Sequence, residues 1–442
     1  MARAIDTEDC TRDRKEMETF STHSPWVLRD QACIWHPFTQ EQTAAPPIPI
    51  VKGKGAYLYS EMGDAYLDAI SSWWVNLHGH THPHIAEKIR AQADQLEHVL
   101  FSGFTHPQAI VLAERLLEIL PAGYARVFYS DNGSTAVETA LKMAFQAKGK
   151  KLLSFEGGYH GDTFGAMSAG GKSFCNRPFW PYLFEIDSIP PPLFGKEDES
   201  WKAFERVINS EAIGAFIFEP LIQGWGGMMR LHSRKILNQM IQRCQEKGII
   251  TIADEVMTGF GRTGPLFACG SLETAPDIIC LAKGITGGFL PLGATITKEA
   301  LFELFLGPDL STALLHGHTY TANPLVCAAA NASLDLLLEP ECTQARKRIE
   351  EIHKLFQQKW RDHPKLVRCD CIGTILILEY KMGESSYYNP LRDRLIEFFL
   401  QRGILIRPFG NILYLLPPYC ITSEELHKIY AAISITLEEW SW

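Results

Sequence analysis

Four things are scarce or missing in this chain of 442 residues. No apolar run approaches the roughly 18 residues that a membrane span needs, which argues against a membrane partner. No cluster of Lys or Arg stands out, and the net charge is −9, so nucleic acid is an unexpected partner. The eleven cysteines form no regular framework. Cys369 and Cys371 are the only close pair, and no second pair lies at zinc spacing, so scattered thiols in a reducing cytoplasm are expected. The first 20 residues lack the apolar core of a signal peptide and read as part of a mobile charged tail over residues 1–25.

What is present is a large, mixed chain with 46% hydrophobic residues, enough for more than one domain. Its organising stretch is residues 249–288. An apolar run over 248–253 ends on Asp254 and Glu255; a second, over 278–282, ends on Lys283 and a glycine. Both read as buried strands, and the carboxyl edge of an α/β sheet is where ligands bind. Pyridoxal phosphate uses both groups: a lysine for its Schiff base and a carboxylate that keeps its ring nitrogen protonated. Loop salt bridges at two strand ends are the plainer alternative.

Residues 30–60 are rich in Pro and aromatics and read as non-helical. A hairpin is expected over 52–67, turning at residues 62–64. His78, His80, His82 and His84 alternate, but Gly79 and Pro83 interrupt them and no carboxylate or cysteine lies nearby, so a helix start over 85–96 is preferred to a metal site. A helix over 110–120, a strand over 126–129, the polar turn at 130–135 and a helix over 136–146 follow. Strand, small polar turn and helix start make an anion site, with Gly133 and Ser134 as its candidates. After a strand over 151–155, Tyr159 and His160 sit in a glycine-rich loop suited to covering a flat ring. Residues 186–204 read as a surface excursion, and 213–218 as another buried strand, followed by Gln223 and a Gly-Trp-Gly-Gly turn. Residues 259–264 match GxGxxG, but the two acids precede the glycines and no long helix follows, so a dinucleotide site is rejected. A helix over 325–338 follows residues 316–324. Arg407 ends an apolar strand and suits a carboxylate.

The motifs WHPF (35–38), SSWW (71–74), GGYHGDTFG (157–165), IADE (252–255), TGFGRTG (258–264), LAK (281–283) and IRPFG (406–410) occur in an order that resembles the class III (ω-) aminotransferases, over about residues 30–440. SSWW and IRPFG are similar to the biotin-biosynthesis branch. The resemblance implies an α/β chain of fold type I, with a large domain around a mostly parallel central sheet and a smaller α+β domain. It divides the chain into a segment 26–70 that joins the small domain, a large cofactor domain 71–339 and a small domain 340–442. It implies pyridoxal phosphate bound by Lys283, Asp254, Gly133, Ser134 and Tyr159. Gly317, His318 and Thr319 would reach the cofactor of a neighbouring subunit, hence a homodimer with shared sites. Trp73, Trp74 and Tyr159 would line the substrate channel, and Arg407 would take a distal carboxylate. The implied activity converts 8-amino-7-oxononanoate to 7,8-diaminononanoate in the cytoplasm; amination by another member of the class, on a diamine or ω-amino acid, is the alternative. Two positions depart from the members that use S-adenosylmethionine: Phe38, counted with the catalytic set, replaces a tyrosine, and His318 replaces a proline. Both resemble a branch that uses lysine as donor.

Overall fold

The computed structural model describes residues 24–210 and 212–441. Of the tail expected over 1–25, residues 1–23 lie outside the described residues. Ser24 and Pro25 open a helix, Pro25–Cys33, in which the Ser24 hydroxyl accepts from the Trp26 N–H and Pro25 takes the first turn. The expectation that residues from 30 onward are non-helical therefore fails as far as Cys33.

The frame of the molecule is a seven-stranded sheet in the order Tyr124–Ser130, Gly293–Lys298, Ile278–Leu281, Ile250–Asp254, Ile213–Phe218, Lys151–Phe155, Asp187–Ile189. All strands run parallel except Gly293–Lys298, which is antiparallel to both of its neighbours. The central strands are buried along their whole length, and so read as unbroken apolar runs. Their side chains alternate between two layers. Ile217, Ile252, Ile278 and Cys280 pack with Ala136, Val137 and Ala140 of the helix Gly133–Lys148. Phe216, Phe218, Ala253 and Ile279 pack with Leu237 and Met240 of the helix Arg234–Glu246.

The surface excursion expected over 186–204 is instead structural. Asp187–Ile189 is the edge strand of the main sheet, and Glu197–Ile208 is a helix that buries Phe204 and Ile208 in the core. The hairpin is observed as Tyr57–Ser60 against Ala65–Asp68, with Ile50–Lys54 beside it. This small sheet is completed by Ile404–Leu405, from far along the chain, which pairs parallel with Ala65–Asp68. A third sheet, Leu366–Ile372, Ile375–Tyr380 and Ile412–Leu415, is antiparallel. A cluster of Ile70, Trp74, Trp225, Met257, Ile377, Phe409 and Tyr414 packs this sheet against the loops after the central strands.

Candidate active site

Asp254 is the last residue of its strand, paired in register with Cys280 of the next, so Lys283 emerges beside it. Both line a cavity of about 660 Å³ at the carboxyl edge of the sheet. Asp254 is buried; its Oδ2 lies 2.7 Å from Nδ1 of His160, and its Oδ1 accepts from the Val256 N–H. Burial works against a charge on His160, but its hydrogen bond to the Asp254 carboxylate and the charges of Asp254 and Glu219 raise its pKa above the usual imidazole value. Glu219, also on the cavity, accepts from the N–H groups of Tyr159 (3.0 Å) and Gly224 (2.7 Å). Burial pushes its pKa up to about 7; His160 works against this and Asp254 adds to it. Lys283 has no hydrogen-bond acceptor among the described residues, and its Nζ lies 4.4 Å from the centre of the Trp74 ring. Burial brings its pKa down to about 8 against the pull of Asp254 and Glu219. An amine with a lowered pKa and a buried carboxylate thus line one cavity.

The start of the helix Gly133–Lys148 also lines the cavity. Asn132 and Thr135 close a capping box there. The N–H groups of Gly133 and Ser134 have no acceptor among the described residues and lie on the cavity. A Cβ on Gly133 would come within 2.8 Å of Val256, so only glycine lets the helix end approach this closely. The Ser134 hydroxyl accepts from the Asp162 N–H at 3.2 Å. Unclaimed N–H groups at a helix start suit a phosphate; with a free amine and a buried carboxylate on the same cavity, the residues present fit pyridoxal phosphate.

Farther out, Phe38 lies edge-on to Trp73 (5.8 Å between centroids) and to Trp225 (5.2 Å). Trp225 in turn meets Tyr159 (4.9 Å) and Tyr387 (5.8 Å). The Arg407 guanidinium lies 4.4 Å over the Trp73 ring, with no ion pair or hydrogen bond among the described residues. Trp73 and Trp74 belong to an unusual turn. Ser72 (φ 45°, ψ 56°) and Trp73 (φ 69°, ψ 45°) are left-handed, and Ser71 and Trp74 flank them with φ of 52° and 76°. The Trp74 N–H closes the turn on the Ile70 carbonyl at 2.8 Å. Such backbone costs about 1–2 kcal/mol for each non-glycine residue, so the surroundings must hold it in place.

The residues singled out in the sequence do not all meet. Lys283, Asp254, Gly133, Ser134, Tyr159 and Trp74 line the cavity. Phe38, Trp73 and Arg407 do not line it; they form an outer rim that reaches it through Trp225 and Tyr159. Gly317 and Thr319 are exposed, and His318 lies 3.6 Å from Asp131 rather than on the cavity. His160, the other aromatic proposed to cover a ring, also lines the cavity, with its Nδ1 against the Asp254 carboxylate. The alternating histidines bind protein groups: His78 to Ser333, His80 to Asp68 and His84 to Asp335. No cluster among the described residues could hold a metal ion. Cys369 and Cys371 share one strand as free thiols, and residues 259–264 form turns rather than a strand-to-helix loop. Glu219 and Trp225 were passed over as site residues. The only signal for Glu219 was its place at the end of an apolar run, the same signal that marked Asp254. No described helix is long and apolar enough to cross a membrane.

The aminotransferase class-III family matches residues 38–437. The adenosylmethionine-8-amino-7-oxononanoate aminotransferase of Synechococcus elongatus is 46% identical, over 92% of this chain and 98% of that protein. The crystal structure of the like-named enzyme from Methanocaldococcus jannaschii is 35% identical, with a TM-score of 0.87 over 97% of this chain and 100% of that one. An amine transaminase from an uncultivated Pseudomonas species, solved in its PLP-bound form, is 29% identical with a TM-score of 0.83, over 91% and 98% of the two chains. Together with the cavity at the sheet edge, the match over nearly the whole chain makes this protein a member of the class III aminotransferases.

Proposed function

We propose that this chain uses pyridoxal phosphate to aminate 8-amino-7-oxononanoate to 7,8-diaminononanoate, the biotin-pathway step named for its relatives. The observation that carries the reading is the pairing of an unbonded amine, Lys283, with a buried carboxylate, Asp254, on adjacent strand ends of one cavity. The bound cofactor supplies an aldehyde to carry the amino group and a ring that takes up electrons.

The residues then have separate tasks. The Lys283 Nζ binds the cofactor covalently and, once displaced by a substrate amine, takes and returns a proton at the reacting carbon. Its pKa near 8 leaves an appreciable fraction unprotonated at neutral pH. Asp254, oriented by its hydrogen bond with His160, would hold a proton on the ring nitrogen. The Gly133 and Ser134 N–H groups would hold the phosphate, and Tyr159 would contact the cofactor ring. Trp73 and Trp74 flank the aliphatic chain of the acceptor, and Arg407, free of any partner among the described residues, takes its far carboxylate. Gly317 and Thr319, which are exposed, and half-buried His318 serve the phosphate site of a second copy, so the working form is a cytoplasmic homodimer.

S-Adenosylmethionine is the donor in this reading. One observation favours lysine as a second reading: Phe38, on the rim against Trp73, offers no hydroxyl. The test is a half-reaction. Each donor alone is added to the purified, cofactor-loaded protein and the visible absorbance is followed, then 8-amino-7-oxononanoate is supplied. Bleaching by S-adenosylmethionine and recovery with the keto acid support the reading. Bleaching by lysine alone changes the donor. Failure of the keto acid to restore the absorbance, with turnover of a diamine, replaces this substrate with that of another ω-aminotransferase.

A further inference from the structure

Two cations near the cavity lack a hydrogen-bond or ion-pair partner among the described residues, Lys283 and Arg407, and each lies 4.4 Å from the ring of one member of the Trp73–Trp74 pair. The two rings belong to one left-handed turn, whose backbone sets the directions in which they leave the chain. A substrate with an amine or carbonyl at one end and a carboxylate at the other must span that separation.

The turn is held from two sides. From the third sheet and its flanks, the Leu416 carbonyl accepts from the Ser71 hydroxyl (2.7 Å), the Tyr414 hydroxyl accepts from the Trp74 indole (3.1 Å), and the Arg262 guanidinium donates to the Trp74 carbonyl (3.2 Å). From the other side the anchor is one fully buried carboxylate, Asp68. Its Oδ1 accepts from the Ile70 N–H (3.1 Å), and its Oδ2 accepts from the Ser72 hydroxyl (2.8 Å) and from Nε2 of His80 (2.9 Å). Asn76 donates to Nδ1 of His80, which leaves the His80 proton on the nitrogen that faces Asp68. Asp68 is also paired in register with Leu405, on the strand that leads into Arg407. One residue thus touches both the turn that carries the tryptophans and the strand that carries the arginine.

We propose that Asp68 is a positioning residue which, by locking the left-handed turn, fixes the separation of the Lys283 and Arg407 ends and so selects substrates by chain length. This rests on the roles given above to Lys283 and Arg407. The two tryptophans are not equally dependent on it. Trp74 is 3% exposed and wedged against Phe409 and Tyr414. Trp73 is 38% exposed, and among the described residues its ring neighbours are Phe38 and Arg407. Weakening the Asp68 anchor therefore releases the carboxylate end and leaves the lysine end in place.

The test measures calorimetric binding of a ladder of linear ω-amino carboxylates to the loaded enzyme, with near-ultraviolet circular dichroism as a record of the tryptophans. The unaltered enzyme binds one length best. Ser72→Ala removes a single hydroxyl from Asp68 and weakens that length about fivefold; Asp68→Asn weakens it about tenfold or more, while short members that reach only the lysine end stay within about twofold. The tryptophan dichroism changes and the cofactor absorbance does not. If Asp68→Asn does not fold, Ser72→Ala decides. An unchanged length profile, or equal weakening of every length, overturns the proposal. A sharp length optimum in an enzyme that fails to aminate 8-amino-7-oxononanoate would remove the proposed substrate and leave the positioning role standing.

Discussion

On the floor of the cavity, Asp254, His160 and Glu219 are buried and tied to one another or to backbone N–H groups, and Lys283 has no hydrogen bond among the described residues. On the outer wall the pattern reverses. Phe38 is 50% exposed, Trp73 is 38% exposed, and Arg407 touches an aromatic face instead of a carboxylate. A buried carboxylate without its partner is costly, so the floor tolerates few arrangements. The wall rests on ring contacts worth about 0.5–1.5 kcal/mol each and can change with little loss of stability. Chemistry is thus fixed where burial is complete, and substrate choice is set where it is not.

This contrast predicts a falling series of effects. Lys283→Ala should reduce turnover at least about a thousandfold, read as steady-state rate, while the melting temperature holds or rises, because a buried amine is removed. Arg407→Leu should raise KM for the keto acid about thirtyfold with little change in kcat, and leave the donor half-reaction intact. A large fall in kcat instead would place Arg407 among the reacting groups. Acidity comes next. With the Lys283 pKa lowered to about 8, uptake of pyridoxal phosphate by the cofactor-free chain should quicken about fivefold between about pH 7 and about pH 8, measured by stopped-flow absorbance. The stability sign follows from the same shift. The unfolded lysine keeps its proton to about 10.5 and the folded one loses it near 8, so this group's contribution to stability rises as pH climbs through that window. The smallest effect is Phe38→Tyr, which should leave the fold unchanged and alter KM for the preferred donor by no more than about threefold. A complete exchange of donor would show that a single rim hydroxyl decides the specificity.

The floor was more legible in the sequence than the wall. Asp254 and Lys283 follow unbroken apolar runs, and a run buried on both faces announces its own end. Gly133 and Ser134 follow from the strand, polar turn and helix start around them. Ser24 and Pro25 carry a clear cap and first-turn signal, but it was read as part of the charged tail. Asp187–Ile189 is three residues long, too short for alternation to reveal, and it hid the helix after it as well. His160 and Tyr159 are neighbours in one loop and both line the cavity, and only the fold shows that Nδ1 of His160 meets Asp254. The left-handed turn could not be anticipated, since local propensity opposes φ above zero at Ser72 and Trp73, and the groups that impose it lie up to 345 residues away. The meeting of Phe38, Tyr159, Trp225 and Tyr387 likewise exists only once distant segments pack together.

The central claim is that Lys283 is the amine on which the reaction turns. The most direct measurement is to load the purified protein with pyridoxal phosphate, reduce it with borohydride, digest it and find the labelled peptide by mass spectrometry. The account predicts a single stoichiometric label on Lys283. A label on another lysine, or none, would contradict it.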